Sequence, residues 1–322
     1  MKLRRIYLIL LPLLMLTMAA GLCFGSAPLS LSELVSGAGV SRTILLGIRL
    51  PRVLAGLLAG IGLSAAGVLL QTVTSNDLAS PNIIGINSGA GLAVILLLTL
   101  APRAGAWLPM GAFCGAFGAA LVILAAGSRL GSSRSGILLI GIAITTLFNA
   151  AISFLSLLDE GILAQYNHFT VGSLRAIRLG DLLVPGILIF VSFCAAMALS
   201  GRLSVLSLGD AAASALGVRV KGLRIAAMAC AAACAAAVVS FAGLLGFVGL
   251  VVPHIARALT GEKPARLLPV AALSGGILVI LADLLGRTLF APSELPVGIL
   301  MSLIGAPYFL ILLIRRKHHA GN

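Results

Sequence analysis

Few residues in this sequence have side chains whose type and spacing could do chemistry. The sequence contains neither a Walker A motif nor a dinucleotide-binding GxGxxG motif, and its four His residues lack the spacing of metal ligands. Of nine acidic residues, only Asp283 lies well inside an apolar segment, so no chain of carboxylates is present to relay protons. The five Cys residues lie in apolar segments without CxxC spacing, as small packing residues do. The sequence therefore predicts neither an enzyme nor a chain that binds a metal or cofactor.

Uncharged polar residues form the most informative pattern, within the apolar segment at 136–158. Five of them share one helix face or lie beside it: Thr145, Thr146, Asn149, Ser153 and Ser156. Such a stripe could line a water-filled path for a large polar solute. Alternatively, the hydroxyls bond back to their own helix or to a neighbouring helix. The residues alone leave both interpretations open.

A polar break followed by glycines interrupts the apolar pattern between 71 and 91. Pro81 cannot continue a helix that begins before it, and irregular backbone at membrane depth is tolerated only where it is buried in protein or lines a cavity. We interpret Pro81, Gly85 and Gly89 as structural or gate positions. Asn87 and Ser88 are candidates to line the translocation path.

Two further groups of residues could contact other proteins. The predicted cytoplasmic loop at about 202–224 contains an Ala-rich stretch with Asp210 near its start and Gly217 at its end, which are the signals of a short helix. Such a helix could enter a groove on a partner or could lie at the interface without one. Arg49, Arg52 and Arg287 lie at predicted external span ends, where they could anchor the spans by snorkelling or receive acidic side chains of a periplasmic partner.

Apolar segments must position all of these residues, because hydrophobic residues make up 60% of the chain and charged residues 10%. An ordinary soluble domain has about 25% charged residues. The net charge of +13 lies in short breaks between apolar segments, which excludes a nucleic-acid binder. The apolar segments run approximately over 6–24, 53–74, 83–101, 107–127, 136–158, 182–201, 225–245, 246–257, 268–290 and 297–314.

These segments predict an all-α membrane helix bundle with about ten spans in a single domain, 1–322. A span needs about 20 apolar residues, so the segment at 246–257 is too short to span by itself. The first segment resembles a signal peptide, but its length of about 19 residues exceeds a typical h-region, and we interpret it as a retained span. With both termini cytoplasmic, 15 Lys and Arg residues lie inside and 7 outside, as the positive-inside rule requires. Glycine pairs such as Gly56/Gly60 and Gly111/Gly115 predict close helix packing.

Six motifs, in the same order over nearly the whole chain, resemble the permease subunits of iron-siderophore, haem and vitamin B12 importers of the ATP-binding-cassette (ABC) superfamily. They lie at 49–60, 66–71, 78–90, 246–257, 282–283 and 294–307. The resemblance implies a ten-helix protomer that pairs with a second copy or a paralogue in the bacterial inner membrane, among membrane lipids. It also implies two cytoplasmic ATPases, which would hold ATP and Mg, and a periplasmic or lipid-anchored binding protein.

The resemblance also implies roles for particular residues. Arg49, Arg52 and Arg287 match positions that meet acidic residues of the binding protein, and the fifth span lines the central path. Pro253, within the motif at 246–257, joins the structural or gate positions. A coupling helix that enters the ATPase cleft is expected at Gly209, Asp210, Ala213, Leu216, Gly217 and Val218.

The sequence departs from the family pattern at three places. Asp77 replaces the Pro that usually follows Asn76, and Phe169 stands where a Trp is common. Asp210 and Ala211 replace a frequent Glu pair, which removes one negative charge from the predicted ATPase contact and puts the pairing with that partner in doubt.

The sequence thus predicts a permease that carries a metal chelate inward. The motif at 85–90 favours a ferric siderophore, with haem or vitamin B12 as alternatives. A rival from another class is a proton-coupled secondary transporter in which Asp283 titrates. Asp283 precedes Arg287 by four residues, which predicts an ion pair along one helix instead. A structural assembly factor fits poorly with the polar stripe.

Overall fold

The computed structural model describes residues 2–26, 40–82, 85–129 and 134–320, and within these ranges the chain is helical with short connections. We number the α-helices in chain order: α1 (Lys2–Cys23), α2 (Val40–Ile44), α3 (Leu50–Thr74), α4 (Ile86–Leu100), α5 (Leu108–Arg129), α6 (Arg134–Ser156), α7 (Glu160–Val171), α8 (Leu183–Leu206), α9 (Asp210–Ala215), α10 (Val220–Ala242), α11 (Val248–Thr260), α12 (Pro264–Thr288) and α13 (Val297–Ala320). A π-helical turn, Leu45–Arg49, joins α2 to α3.

The described helices confirm the predicted membrane bundle. Seven of them are long and apolar enough to cross a membrane: Leu3–Cys23, Arg42–Thr74, Gly105–Gly127, Leu138–Ser156, Leu179–Leu206, Val220–Ala242 and Pro264–Thr288. Three shorter apolar helices, Ile86–Leu100, Val248–Thr260 and Val297–Leu312, correspond to the other predicted segments. The count of ten spans and the location of the termini stay predictions. We use that topology to name the external end, which holds the end of α1, and the cytoplasmic end, which holds α9.

Helix α3 lies at the centre of the bundle and packs against α10, α11 and α12. Small residues make this possible, because they let the backbones approach closely. A Cβ added at Gly60 would overlap the backbone of Gly275 on α12, and one added at Gly67 would overlap Gly249 on α11. The glycine pair pattern therefore predicted a real helix contact at Gly60.

The break between α10 and α11 packs against α7. Gly243 caps the end of α10 and Phe247 caps the start of α11. Both residues have positive φ. At 13 residues, α11 is about 20 Å long, so it cannot cross the membrane alone, as predicted. The amide of Leu244 donates to the carbonyl of Phe169 on α7, so the break is buried against protein.

Helix α7 lies between the predicted apolar segments at 136–158 and 182–201, where no helix was predicted. Its N-terminus is capped by Asp159, whose Oδ1 accepts a hydrogen bond from the amide of Gly161 at 2.6 Å, and an acidic side chain also suits the helix dipole there. Tyr166 packs against Gly91 of α4. The helix carries both polar and apolar residues and is too short to span, so hydropathy alone does not reveal it.

Candidate functional site

A buried cluster of charged residues lies at the external end, where α3, α12 and the connection after α12 meet. Arg52 Nε lies 3.0 and 2.9 Å from the two carboxylate oxygens of Asp283, and its Nη1 lies 2.8 Å from Oε2 of Glu294. Arg287 Nε lies 3.6 Å from Asp283 Oδ2, so the predicted i,i+4 ion pair is present. A carboxylate between two guanidinium groups is charge-compensated, which a buried charge requires.

Arg49 and Arg287 also hold the end of helix α1. Arg49 Nη1 donates to the carbonyls of Leu22 and Cys23 at 2.7 and 2.6 Å, and Arg287 Nη2 donates to the carbonyl of Gly21 at 2.6 Å. The last carbonyls of a helix lack partners within the helix and carry partial negative charge. The two arginines therefore cap α1 and attach it to α3 and α12.

The structure places the three predicted docking arginines inside the protein. The exposed fractions of Arg49, Arg52 and Arg287 are 3%, 6% and 3%. A partner's carboxylate could reach them only after neighbouring groups move. Their contact with a binding protein stays a prediction, whereas their contacts within the bundle are present in the structure.

Glu294 is a functional candidate that the sequence analysis did not single out. Besides Arg52, its carboxylate accepts a hydrogen bond from Ser26 Oγ at 2.7 Å and lies 3.1 Å from Nε of Arg175. Burial opposes ionisation of Glu294, but the hydrogen bonds from Arg52 and Ser26 and the nearby positive charges together lower its pKa from the ordinary value. Glu294 is therefore held ionised at neutral pH and links α3, the end of the α1 region and the segment after α7.

The polar stripe of α6 divides between two environments. Thr146, Asn149 and Ser153 are exposed in the protomer, whereas Ser156 is half-buried. The hydroxyls of Thr146 and Ser156 donate to the carbonyls of Ile142 and Ile152 on the same helix. Two hydroxyls of the stripe therefore bond back to their own helix, whereas Asn149 and Ser153 face outward. A role of the stripe in lining a path stays a prediction.

The remaining predicted path and gate residues near α4 face the interior of the protomer. Asn87 and Ser88 are buried, and the Ser88 hydroxyl donates to the carbonyl of Gly85 at 3.0 Å. A Cβ at Gly85 would approach Thr145 Oγ1 on α6, so Thr145 points inward. Gly89 packs against Gly115 of α5. In this conformation these residues join α4, α5 and α6 and do not lie on the exposed polar face.

The predicted coupling segment forms a short exposed helix, α9, at the cytoplasmic end. Gly209 and Gly217 flank it with φ of 110° and 79°, a backbone conformation that favours glycine. Ala213 is buried against the bundle and its carbonyl accepts a hydrogen bond from the amide of Val218 at 3.0 Å.

Apolar side chains flank α9 on the outside. Leu208 and Leu216 have exposed fractions of 69% and 65%. Asp210 Oδ2 lies 2.9 Å from Nη2 of Arg224 on α10, which fixes the start of the helix. The Asp that replaces the usual Glu therefore has a partner within the chain.

A second polar cluster at the cytoplasmic end accounts for Asp77. Arg257 of α11 lies 3.1 Å from Asp77 Oδ1 and donates to Gln71 Oε1 at 2.8 Å. The Gln71 amide in turn donates to the carbonyl of Gly249, close to Pro81. Buried Pro253 lies on α11 between Gly249 and Arg257. The departure from the family pattern at 77 thus creates an ion pair between the polar break and α11.

Among the residues that the structure describes, no group of three or more His, Cys, Asp or Glu side chains could hold a metal ion. The two clusters consist of arginine, carboxylate and amide side chains that form ion pairs and hydrogen bonds with one another. None of these arrangements places a nucleophile beside a base.

Comparison with known proteins gives a consistent result over almost the whole chain. The model of the FecCD transport family matches residues 13–315. The Fe(3+)-citrate import system permease protein YfmE of Bacillus subtilis (strain 168) is 41% identical over 268 residues, 82% of this chain and 80% of the relative. The ferric enterobactin transport system permease protein FepD of Escherichia coli (strain K12) is 37% identical over 320 residues, 97% of this chain and 95% of the relative.

A solved structure supports the same assignment. It is described as an inward-facing conformation of a metal-chelate type ABC transporter, and it superimposes with a TM-score of 0.89 at 30% identity, covering 97% of this chain and 99% of that chain. The apolar helices of spanning length and these relatives make the chain a multi-pass protein of the bacterial inner membrane. By its sequence and its fold, the chain belongs to the FecCD transport family.

Proposed function

We propose that this chain is the transmembrane permease subunit of an ABC importer that carries a ferric siderophore, or a similar iron chelate, into the cytoplasm. The observation that carries the proposal is the exposed polar face of α6, with Thr146, Asn149 and Ser153. Polar side chains inside a membrane face a bundle interior or a water-filled cavity. A second permease copy or a paralogue facing α6 would enclose such a cavity between the two protomers.

The chemistry of this face suits a bulky, charged chelate. Hydroxyl and amide groups offer hydrogen bonds to oxygen-rich ligands, and the absence of charge on Thr146, Asn149 and Ser153 avoids a tight ion pair that would retain the solute. Two relatives, named for Fe(3+)-citrate and ferric enterobactin, support the iron-chelate class. Haem, named for a relative from Yersinia pestis, and vitamin B12 are the alternatives within the family.

The energy for transport would come from partner subunits. Two cytoplasmic ATPases, holding ATP and Mg, would each receive one α9 helix with its exposed Leu208 and Leu216. Their closure would move α9, and through Ala213 and the Asp210–Arg224 ion pair this motion would reach α8 and α10. A periplasmic or lipid-anchored binding protein would deliver the chelate at the external end.

Proton-coupled transport is the rival from another class, and the surroundings of Asp283 oppose it. Its carboxylate contacts Arg52 and Arg287. A proton carrier needs a carboxyl group that is free to exchange protons with its surroundings, whereas this carboxylate is buried in the bundle and held by Arg52 Nε at 2.9 Å. Protonation would also leave two buried cations with less compensation.

Native mass spectrometry of the complex, purified in mild detergent through a C-terminal tag, tests the proposal. The expected result is two permease chains with two copies of a Walker A ATPase, and the masses also distinguish a self-pair from a pair of paralogues. A monomer or dimer without an ATPase, reproduced after gentle cross-linking, would refute it. Uptake assays with ferric siderophores, ferric citrate, haem and vitamin B12 would then identify the cargo.

A further inference from the structure

A rigid turn after α7 presents two arginines at the external end. The amide of Ser173 donates to the carbonyl of Ala242 at 2.9 Å, and the amide of Gly298 donates to the carbonyl of Gly172 at 3.2 Å. Leu174 and Ile177 are buried. The chain is therefore fixed to α10 and α13 before the turn and held by buried side chains on both sides of residues 175 and 176.

The backbone of this turn is strained at its tip. Ala176 has a φ of 57°, in the left-handed region that non-glycine residues rarely adopt. The Ser173 hydroxyl accepts a hydrogen bond from the amide of Arg175 at 3.2 Å, which closes the turn. Such strain persists only where the surrounding structure holds it, and it occurs often at sites of recognition.

Among the described cations that contact the buried cluster, Arg175 is the one whose side chain reaches the surface. Its side chain is 59% exposed, while that of Glu294, its partner at 3.1 Å, is 10% exposed. Arg52 and Ser26 both donate hydrogen bonds to the Glu294 carboxylate, which fixes its position. Glu294 in turn holds the Arg175 side chain in place without burying it. A guanidinium group has five N–H donors in a planar fork, so Arg175 can bind a second carboxylate from a partner.

The contrast with the predicted docking residues gives Arg175 its significance. Arg49, Arg52 and Arg287 are buried and occupied within the bundle, so contact with a soluble protein would require rearrangement. Arg175 requires none, because its turn is already rigid and its side chain already exposed. A preorganised contact loses less conformational entropy when a partner binds.

We propose that Arg175 is the residue through which the external face of this permease binds an acidic side chain of a soluble substrate-binding protein. The inference rests on the proposed function, since it requires an importer with such a partner. It assigns the first contact to a residue outside the set predicted from the family resemblance.

The test uses the complete importer in lipid nanodiscs and, as the probe, the purified substrate-binding protein of the same import system loaded with its ferric chelate. Arg175→Ala should weaken binding about tenfold at ~50 mM salt and much less at ~0.5 M salt, because salt screens exposed charges. Arg178→Ala is the matched control. Arg178 is exposed in the same segment, and its replacement should change the affinity less than about twofold.

A charge exchange makes the test specific. Arg175→Glu should weaken binding further, and replacing one acidic surface residue of the binding protein with Arg should restore it, whereas a folding defect could not be rescued in this way. Unchanged affinity in Arg175→Ala, beside a wild-type complex that binds normally, would overturn the inference and leave the proposed function intact. Absence of binding to the wild-type importer would overturn both.

Discussion

Replacement of Asp283 by Asn tests the buried charge cluster most directly. The substitution keeps the shape of the side chain and one acceptor oxygen but removes the negative charge between Arg52 and Arg287. Arg52 loses a carboxylate that its Nε contacts at 3.0 and 2.9 Å, and Arg287 loses its i,i+4 partner. Both arginines are too buried to recover their hydration.

The structure sets the expected size of the effect. Removing one partner of a buried ion pair typically costs about 3–5 kcal/mol, because the other charge stays buried without compensation. Arg52 keeps Glu294 at 2.8 Å, and Asn still accepts one hydrogen bond, so we expect a loss near the lower end, about 3 kcal/mol. This loss corresponds to a decrease of roughly a hundredfold in the ratio of folded to unfolded protein.

The free energy of unfolding in detergent, measured by denaturant titration, is the readout. Glu262→Gln is the matched control, since it makes the same chemical change at an exposed carboxylate, and it should shift stability by less than about 0.5 kcal/mol. Equal stability of Asp283→Asn and wild type would refute the argument. Loss of uptake with unchanged stability would point instead to a titrating role for Asp283.

A double-mutant cycle separates the pair from its surroundings. The combination of Arg52→Gln with Asp283→Asn should cost less than the sum of the two single changes, because each single change leaves an uncompensated charge. A coupling energy of about 1–3 kcal/mol is expected for residues in direct contact. Strict additivity would show that the two side chains do not interact in the folded protein.

Four further changes test other parts of the structure. Gly60→Ala should destabilise the bundle by about 1–3 kcal/mol, since its Cβ would meet the backbone of α12, whereas Gly118→Ala has open space and should be tolerated; comparable thermal unfolding of the two would contradict the packing. Asn149→Leu should slow chelate uptake while ATPase association stays normal, and unchanged uptake at equal expression would assign Asn149 to packing. Leu216→Asp should weaken co-purification of the ATPase about tenfold or more, because it places a charge on the exposed apolar surface beside α9. For Glu294→Gln, the lowered pKa gives a pH signature: the wild-type ion pairs contribute fully above the ordinary glutamate pKa of about 4.3 and are lost as the pH falls through the lowered value. The stability gap between variant and wild type should therefore close only in strong acid, and a gap that does not vary with pH would contradict this assignment.

The sequence by itself determined the class of fold. The long apolar segments with short charged breaks leave a membrane helix bundle as the solution, because only helices satisfy their backbone within a single segment of the chain in lipid. Local signals also predicted α9 from Asp210 and Gly217, and showed that the helix near 246–257 is too short to span. The motifs indicated the family over nearly the whole chain, as the comparisons confirmed.

The tertiary structure decided where the polar residues lie and what they contact. Arg52 meets Asp283 and Glu294 across 231 and 242 residues of chain, and local periodicity carries no information about such a contact. For the same reason, the sequence did not reveal that Thr145 points inward while Asn149 faces outward, or that α7 forms beside α4. Local patterns fix which face of a helix is apolar, but the packing of helices against each other determines which polar groups are buried, paired and available to a partner.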